Sequence, residues 1–183
     1  MNCSFLKPIG IAVLLFSSSV YAEDPAKPSR ESFQTICTNA WMNKADDAKD
    51  KVDYKNFGEK YCGCAAGQPL DNDAAVQKAI QVCMSRTLLH DAMDSLEDEV
   101  GLAKAKDTDV MEFCQDRWSL IYPKESDADK KQTDAYCECA KPKLMALIKQ
   151  ADSMTDKQFD DGIDTVAAAC SDNAVATNPK AAQ

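Results

Sequence analysis

Tyr61-Cys62-Gly63-Cys64-Ala65 and Tyr136-Cys137-Glu138-Cys139-Ala140 are the two stretches whose reading decides the fold. Each is preceded by a cysteine followed four positions later by tryptophan: Cys37 with Trp41, and Cys114 with Trp118. Each is followed by one further cysteine, Cys83 or Cys170. Cys-x3-Trp, Tyr-Cys-x-Cys-Ala and a closing cysteine thus recur in one order, with a longer last gap in the second copy. One such match is easily a coincidence. Two in order, with all eight cysteines in register, imply an internal duplication.

The pattern around the cysteines is helical. Phe33, Ile36, Cys37, Ala40 and Trp41 fall at i, i+3, i+4, i+7 and i+8, and Val110, Phe113, Cys114, Arg117 and Trp118 repeat that template. Tyr54, Phe57, Tyr61 and Ala65 form a stripe on a second helix. On a third, Val76, Ala79, Ile80 and Cys83 align with Ile163, Val166, Ala167 and Cys170 of the second copy. Thr155-x-x-Gln158 is a capping box, Ser126-x-x-Asp129 resembles one, and Asp71 or Asn72 can cap the third helix. Leu89, Met93, Leu96 and Val100 extend that helix as a connecting rod toward Lys106, unless Gly101 breaks it. Pro142 is expected to kink or end the fifth helix, since proline has no backbone N–H to donate.

The expected fold is therefore all-α: two tandem three-helix modules stapled by disulfides and joined by a long connecting helix. The boundaries are 31–88 for the first four-cysteine module, 89–106 for the connection and 107–171 for the second module. A polar lead at 23–30 and a flexible tail at 172–183 flank them. Trp41 and Trp118 are expected to be buried on the Cys-x-Cys helix of their own module.

Residues two apart on a helix project about 200° apart, so Cys62 and Cys64 flank the aromatic stripe on opposite sides. One reaches the preceding helix and the other the following one. A bridge inside Cys-x-Cys is strained, which leaves two pairings per module. Rise along antiparallel helices joined by short turns then favours one of them. Cys170 lies about 21 Å past a helix start near Asp156, level with Cys137 rather than Cys139. Cys62 is likewise nearer than Cys64 to the level of Cys83, although the first hairpins do not decide, and Cys114 alone leans toward Cys137. The expected pairs are Cys37–Cys64, Cys62–Cys83, Cys114–Cys139 and Cys137–Cys170.

The N-terminus explains why cysteines pair at all. Lys7, an apolar run from Ile9 to Phe16 and the small-x-Ala ending Val20-Tyr21-Ala22 read as a secretory signal peptide, 1–22, cleaved after Ala22. The apolar run falls short of the roughly 20 residues a membrane span needs. Cys3 leaves with this leader, and the even number that remains in an exported chain reads as disulfides. The expected location is periplasmic or secreted. The chain carries 30 acidic against 21 basic residues, a formal charge of −9. Such a surface repels phosphate backbones, so nucleic acid is not an expected partner. The expected partner is a protein or a small ligand, with no membrane span and no cofactor.

Catalytic chemistry finds little support. His90 is the single histidine, and no Gly-x-Ser-x-Gly or phosphate-binding loop accompanies it. Zinc would need cysteines that the disulfides consume, and the methionines that a cysteine–methionine copper site would use sit at helical core spacing. Asp71-Asn72-Asp73 begins like a calcium loop but lacks the next ligand and the turn glycine, where Ala75 and Val76 stand. Asp46-Asp47 and Asp160-Asp161 read as solvated acidic pairs. The reading is a non-enzymatic exported binding or scaffolding protein. A small-ligand carrier would need a cavity between the modules. The alternative is thiol-disulfide exchange at Cys62 and Cys64, where a vicinal pair would be oxidising.

The Tyr-Cys-x-Cys motif, with one cysteine upstream, one downstream and a leader in front, resembles small exported helical proteins of Gram-negative bacteria. The resemblance spans residues 33–171 and implies a periplasmic or secreted location, with no particular activity.

Overall fold

A computed structural model describes residues 30–124 and 126–175, and these fold as an all-α protein. The leader at 1–22, the lead up to residue 29 and the stretch 176–183 lie outside the described residues. The helices are α1 (Arg30–Met42), α2 (Lys51–Ala66), α3 (Asp73–Glu99), α4 (Asp107–Ile121), α5 (Asp127–Ile148) and α6 (Asp156–Val175).

Short polar side chains start these helices by satisfying first-turn N–H groups that have no partner in the helix. Asp50 accepts from Val52 N and Asp53 N at 2.8 and 3.0 Å, opening α2. Asn72, rather than Asp71, accepts from Ala75 N at 3.0 Å and opens α3. Both capping boxes form. Ser126 N and Oγ donate to Asp129 Oδ2, and Thr155 N donates to Gln158 Oε1 at 2.9 Å.

Four expectations about helix bounds and exposure need correction. α3 does not run to Lys106: it ends at Glu99, and Gly101, at φ +84°, turns the chain into a short 3-10 turn at Leu102–Lys104. That left-handed backbone is open to glycine without steric cost. α5 does not end at Pro142 but continues to Ile148, the proline standing on an exposed flank. α6 extends through 172–175, residues expected to be tail. Ile36, expected on the buried stripe, is 63% exposed. α1 packs chiefly on α2, and one neighbour covers less of a helix than the stripe offers.

The core is continuous across both cysteine sets. Phe57, Leu88, Leu89, Leu96, Tyr136, Leu144 and Ile163 belong to one buried cluster. Its spine is α3, which packs against α2, α4 and α6. Residues 89–96, expected as a connecting rod, contribute Leu89, Ala92, Met93 and Leu96 to this core. Polar groups also tie α3 to the second half. Ser85 Oγ donates to Ala167 O at 2.9 Å. Tyr136 Oη lies 2.5 Å from the same Ser85 Oγ and also donates to Ser85 O at 3.2 Å. Arg86 grips the Asp164 carboxylate through Nε and Nη2.

The disulfides are Cys37–Cys62, Cys64–Cys83, Cys114–Cys137 and Cys139–Cys170. Pairs stay within each four-cysteine set, and each Cys-x-Cys reaches both neighbouring helices. The expected order, Cys37–Cys64, Cys62–Cys83, Cys114–Cys139 and Cys137–Cys170, is reversed throughout. Height matching failed because it started each third helix level with the end of the second. Cys83 lies about 15 Å into α3 and Cys64 only about 3 Å from the end of α2, yet their Cα atoms are 5.6 Å apart. The connection 67–72 absorbs that offset. Which flank of α2 faces α1 decides the order, and rise along the helix does not report it.

Candidate functional site

α1, α3 and the corner between α4 and α5 do not close completely on one another. They leave a cleft of about 740 Å³, within the range that holds small-molecule ligands. α1 contributes Trp41, α2 contributes Tyr54 and Tyr61, and α3 contributes Ile80 and Met84. Trp118 and Ile121 from α4, with Tyr122 just beyond, complete this part of the lining. The two Cys-x3-Trp motifs thus both bring their tryptophans to one cavity.

The aromatic side chains brace one another. Trp41 stacks on Tyr54 at 4.6 Å between ring centroids and on Phe57 at 5.5 Å, and its Nε1 donates to Tyr54 O at 2.8 Å. Trp118 stacks on Tyr122 at 5.4 Å and meets Tyr136 edge-on at 5.6 Å. Each tryptophan therefore packs on its own Cys-x-Cys helix, as the sequence suggests. Burial is unequal: Trp118 is 4% exposed, while Trp41 is half-buried as a wall of the cleft. The Trp118 indole N–H is buried with no hydrogen-bond partner among the described residues.

The cleft is neutral in an acidic protein. Lys44, Lys124, Asp47 and Asp129 are its charged lining residues. Lys124 Nζ and Asp47 Oδ1 pair at 2.5 Å, tying the turn after α1 to the turn after α4. Asp129 accepts from Ser126 N at 2.9 Å. The phenols are held in their protonated form. Burial pushes Tyr61 up to about 12, helped by neighbouring Tyr122. Burial also raises Tyr122, with contributions from Asp129 and Tyr54, and raises Tyr54 itself. All three tyrosines line the same cleft.

The sequence-level candidates lie elsewhere. Cys62 and Cys64 are committed to different helices, so no vicinal bridge forms. Cys37, half-buried, is the one disulfide cysteine on the cleft wall. His90 faces α6, with Nε2 3.0 Å from Asp164 Oδ1. Together with Arg86 it makes a tie between helices. Asp71 and Asp73 flank the α3 cap, and Asp46 pairs with Lys51 at 2.8 Å. No group of three or more His, Cys, Asp or Glu side chains among the described residues is placed to hold a metal ion. No helix among them is long and apolar enough to cross a membrane.

Sequence reasoning assigned Tyr54, Tyr61, Trp41 and Trp118 to the core and missed that they also border a cavity. Tyr122, Met84 and Thr133 were not singled out. The i, i+4 spacing of Trp118 and Tyr122 was the one available signal for that part of the lining. No family model, curated protein or solved structure matches this chain.

Proposed function

We propose that the protein is an exported, non-enzymatic binding protein that carries a small, largely apolar ligand in the cleft between α1, α3 and the α4–α5 corner. The aromatic-lined volume of about 740 Å³ carries this reading. A cavity walled by braced aromatic rings is pre-organised and loses little side-chain freedom on binding. Export, with a leader cleaved after Ala22 and a periplasmic or secreted destination, is supported by four disulfides, which persist in oxidising compartments. Origin by duplication is supported by the repeated pairing pattern, in which first pairs with second and third with fourth in both cysteine sets.

Titration with the neutral reporter N-phenyl-1-naphthylamine tests the reading. A saturable fluorescence rise is expected, at one site per chain, accompanied by quenching of tryptophan emission. Met84→Lys places a charge on the cleft wall at a half-buried position and is expected to weaken reporter binding at least about tenfold with an unchanged helical spectrum. Saturable binding indifferent to this substitution would place the ligand elsewhere and overturn the proposal. The alternative of thiol-disulfide exchange loses its vicinal dithiol to the inter-helix pairing. A protein with two thiols released by mild reductant while the fold persists would restore it.

A further inference from the structure

Resting on the cleft reading, we infer the chemical class of the ligand: a neutral molecule whose apolar body fills the cleft and whose carbonyl-type oxygen is taken by phenols among Tyr54, Tyr61 and Tyr122. The hydrogen-bonding inventory of the wall leads to this class. The acceptor-only groups are occupied, Asp47 by Lys124 and Asp129 by the start of α5. Ser85 is likewise committed, to Ala167 and Tyr136. Tyr54, Tyr61 and Tyr122 line the cleft, and their hydroxyls form no hydrogen bond with other described residues. The amides of Asn43, Gln77 and Gln81 on the same lining can serve as donor or acceptor, so it is the unmatched phenol O–H groups that a ligand acceptor completes, since an unmatched buried polar group is costly.

Charge narrows the class. The chain carries −9 overall, which opposes anions. The cleft balances two lysines against two aspartates and offers no unpaired acid dedicated to a cation.

A matched pair of probes separates this inference from the reading beneath it. Fluorene and 9-fluorenone share shape and differ by one carbonyl oxygen. In competition with N-phenyl-1-naphthylamine both are expected to bind, fluorenone roughly five-fold the tighter, as one or two net hydrogen bonds allow. Replacing Tyr54, Tyr61 and Tyr122 together by Phe keeps the rings and removes the donors. The fluorenone preference is expected to vanish while fluorene affinity holds, which also certifies that the variant is folded. Equal affinities for both probes in the wild type overturn the carbonyl inference and leave the cleft reading standing. N-methylacridinium or fluorene-2-carboxylate outcompeting fluorenone overturns it in favour of a charged ligand. Failure of fluorene and fluorenone alike overturns both levels.

Discussion

At Gly58 a single hydrogen atom makes room for Trp41, because a β-carbon there would run into the indole ring. Alanine normally stabilises a helix over glycine by about 1 kcal/mol. Gly58→Ala should instead destabilise, by about 1–3 kcal/mol as overpacking does, and shift tryptophan emission to the red as Trp41 leaves its stack. Gly63→Ala is the control on the same helix. Its nearest neighbour is Gln34 Nε2 at 3.4 Å, so the ordinary helical gain is expected. Chemical denaturation of the two variants checks both signs. The tyrosines set a second residue-scale expectation. Tyr61 keeps its proton up to about 12 when folded, against 10.0 in its absence of burial. Between those values the unfolded chain binds fewer protons than the native one, so stability is intact below about pH 10 and falls as pH rises toward 12. Rapid alkaline jumps should show this loss, with Tyr61→Phe flattening the slope; an unchanged slope would remove Tyr61 from the account. The stacking partners were legible from helical spacing, because i and i+4 positions meet on one face. The space between two such faces was not, because it depends on where separate helices come to rest.

α1 is the element with least independent support, since it packs chiefly on α2 and is anchored by Cys37–Cys62. Replacing both cysteines by alanine should cost about 2–4 kcal/mol. It should raise amide exchange across 31–42, leave α4, α5 and α6 protected and loosen reporter binding, because Trp41 holds one cleft wall. Uniform loss of protection would show instead that α1 unfolds with the rest. The partition of Cys62 and Cys64 between two helices followed from the 200° argument and needed no structure. Which cysteine reached which helix did not follow. That order reflects the handedness with which three helices are laid together, and the residue spacing of Tyr61-Cys62-Gly63-Cys64-Ala65 is compatible with either hand. Pro142 shows a similar limit: the missing N–H is a local fact, but its exposed flank and the packing of Leu144, Leu147 and Ile148 beyond it carry the helix onward.

Across the whole molecule, α3 joins what the sequence presents as two repeats. Arg86 and His90 on α3 meet Asp164 on α6. Burial pushes the Asp164 carboxyl up, but hydrogen bonds and charge from Arg86 and His90 overcome it and hold the group below its ordinary range. The native state therefore binds fewer protons than the unfolded one near and below pH 4, so this tie stabilises at neutral pH and is lost as pH falls. Asp164→Asn should lower the melting temperature at pH 7 and lose less than wild type on acidification; equal acid sensitivity would assign the effect to other carboxylates. All-helical character was readable from glycine scarcity, caps and period, whereas the shared core was not, because Ser85 and Tyr136 meet across 51 residues of sequence. The pairing pattern has one more consequence. Taken from the N-terminus, each bridge closes before the next begins, and none encloses or interleaves another. A chain oxidised in the order in which it emerges from a pore can join each cysteine to the next one to appear and arrive at the native set without reshuffling. Chains trapped during N-to-C translocation should accordingly carry Cys37–Cys62 first, and abundant Cys62–Cys83 species among them would contradict such vectorial closure.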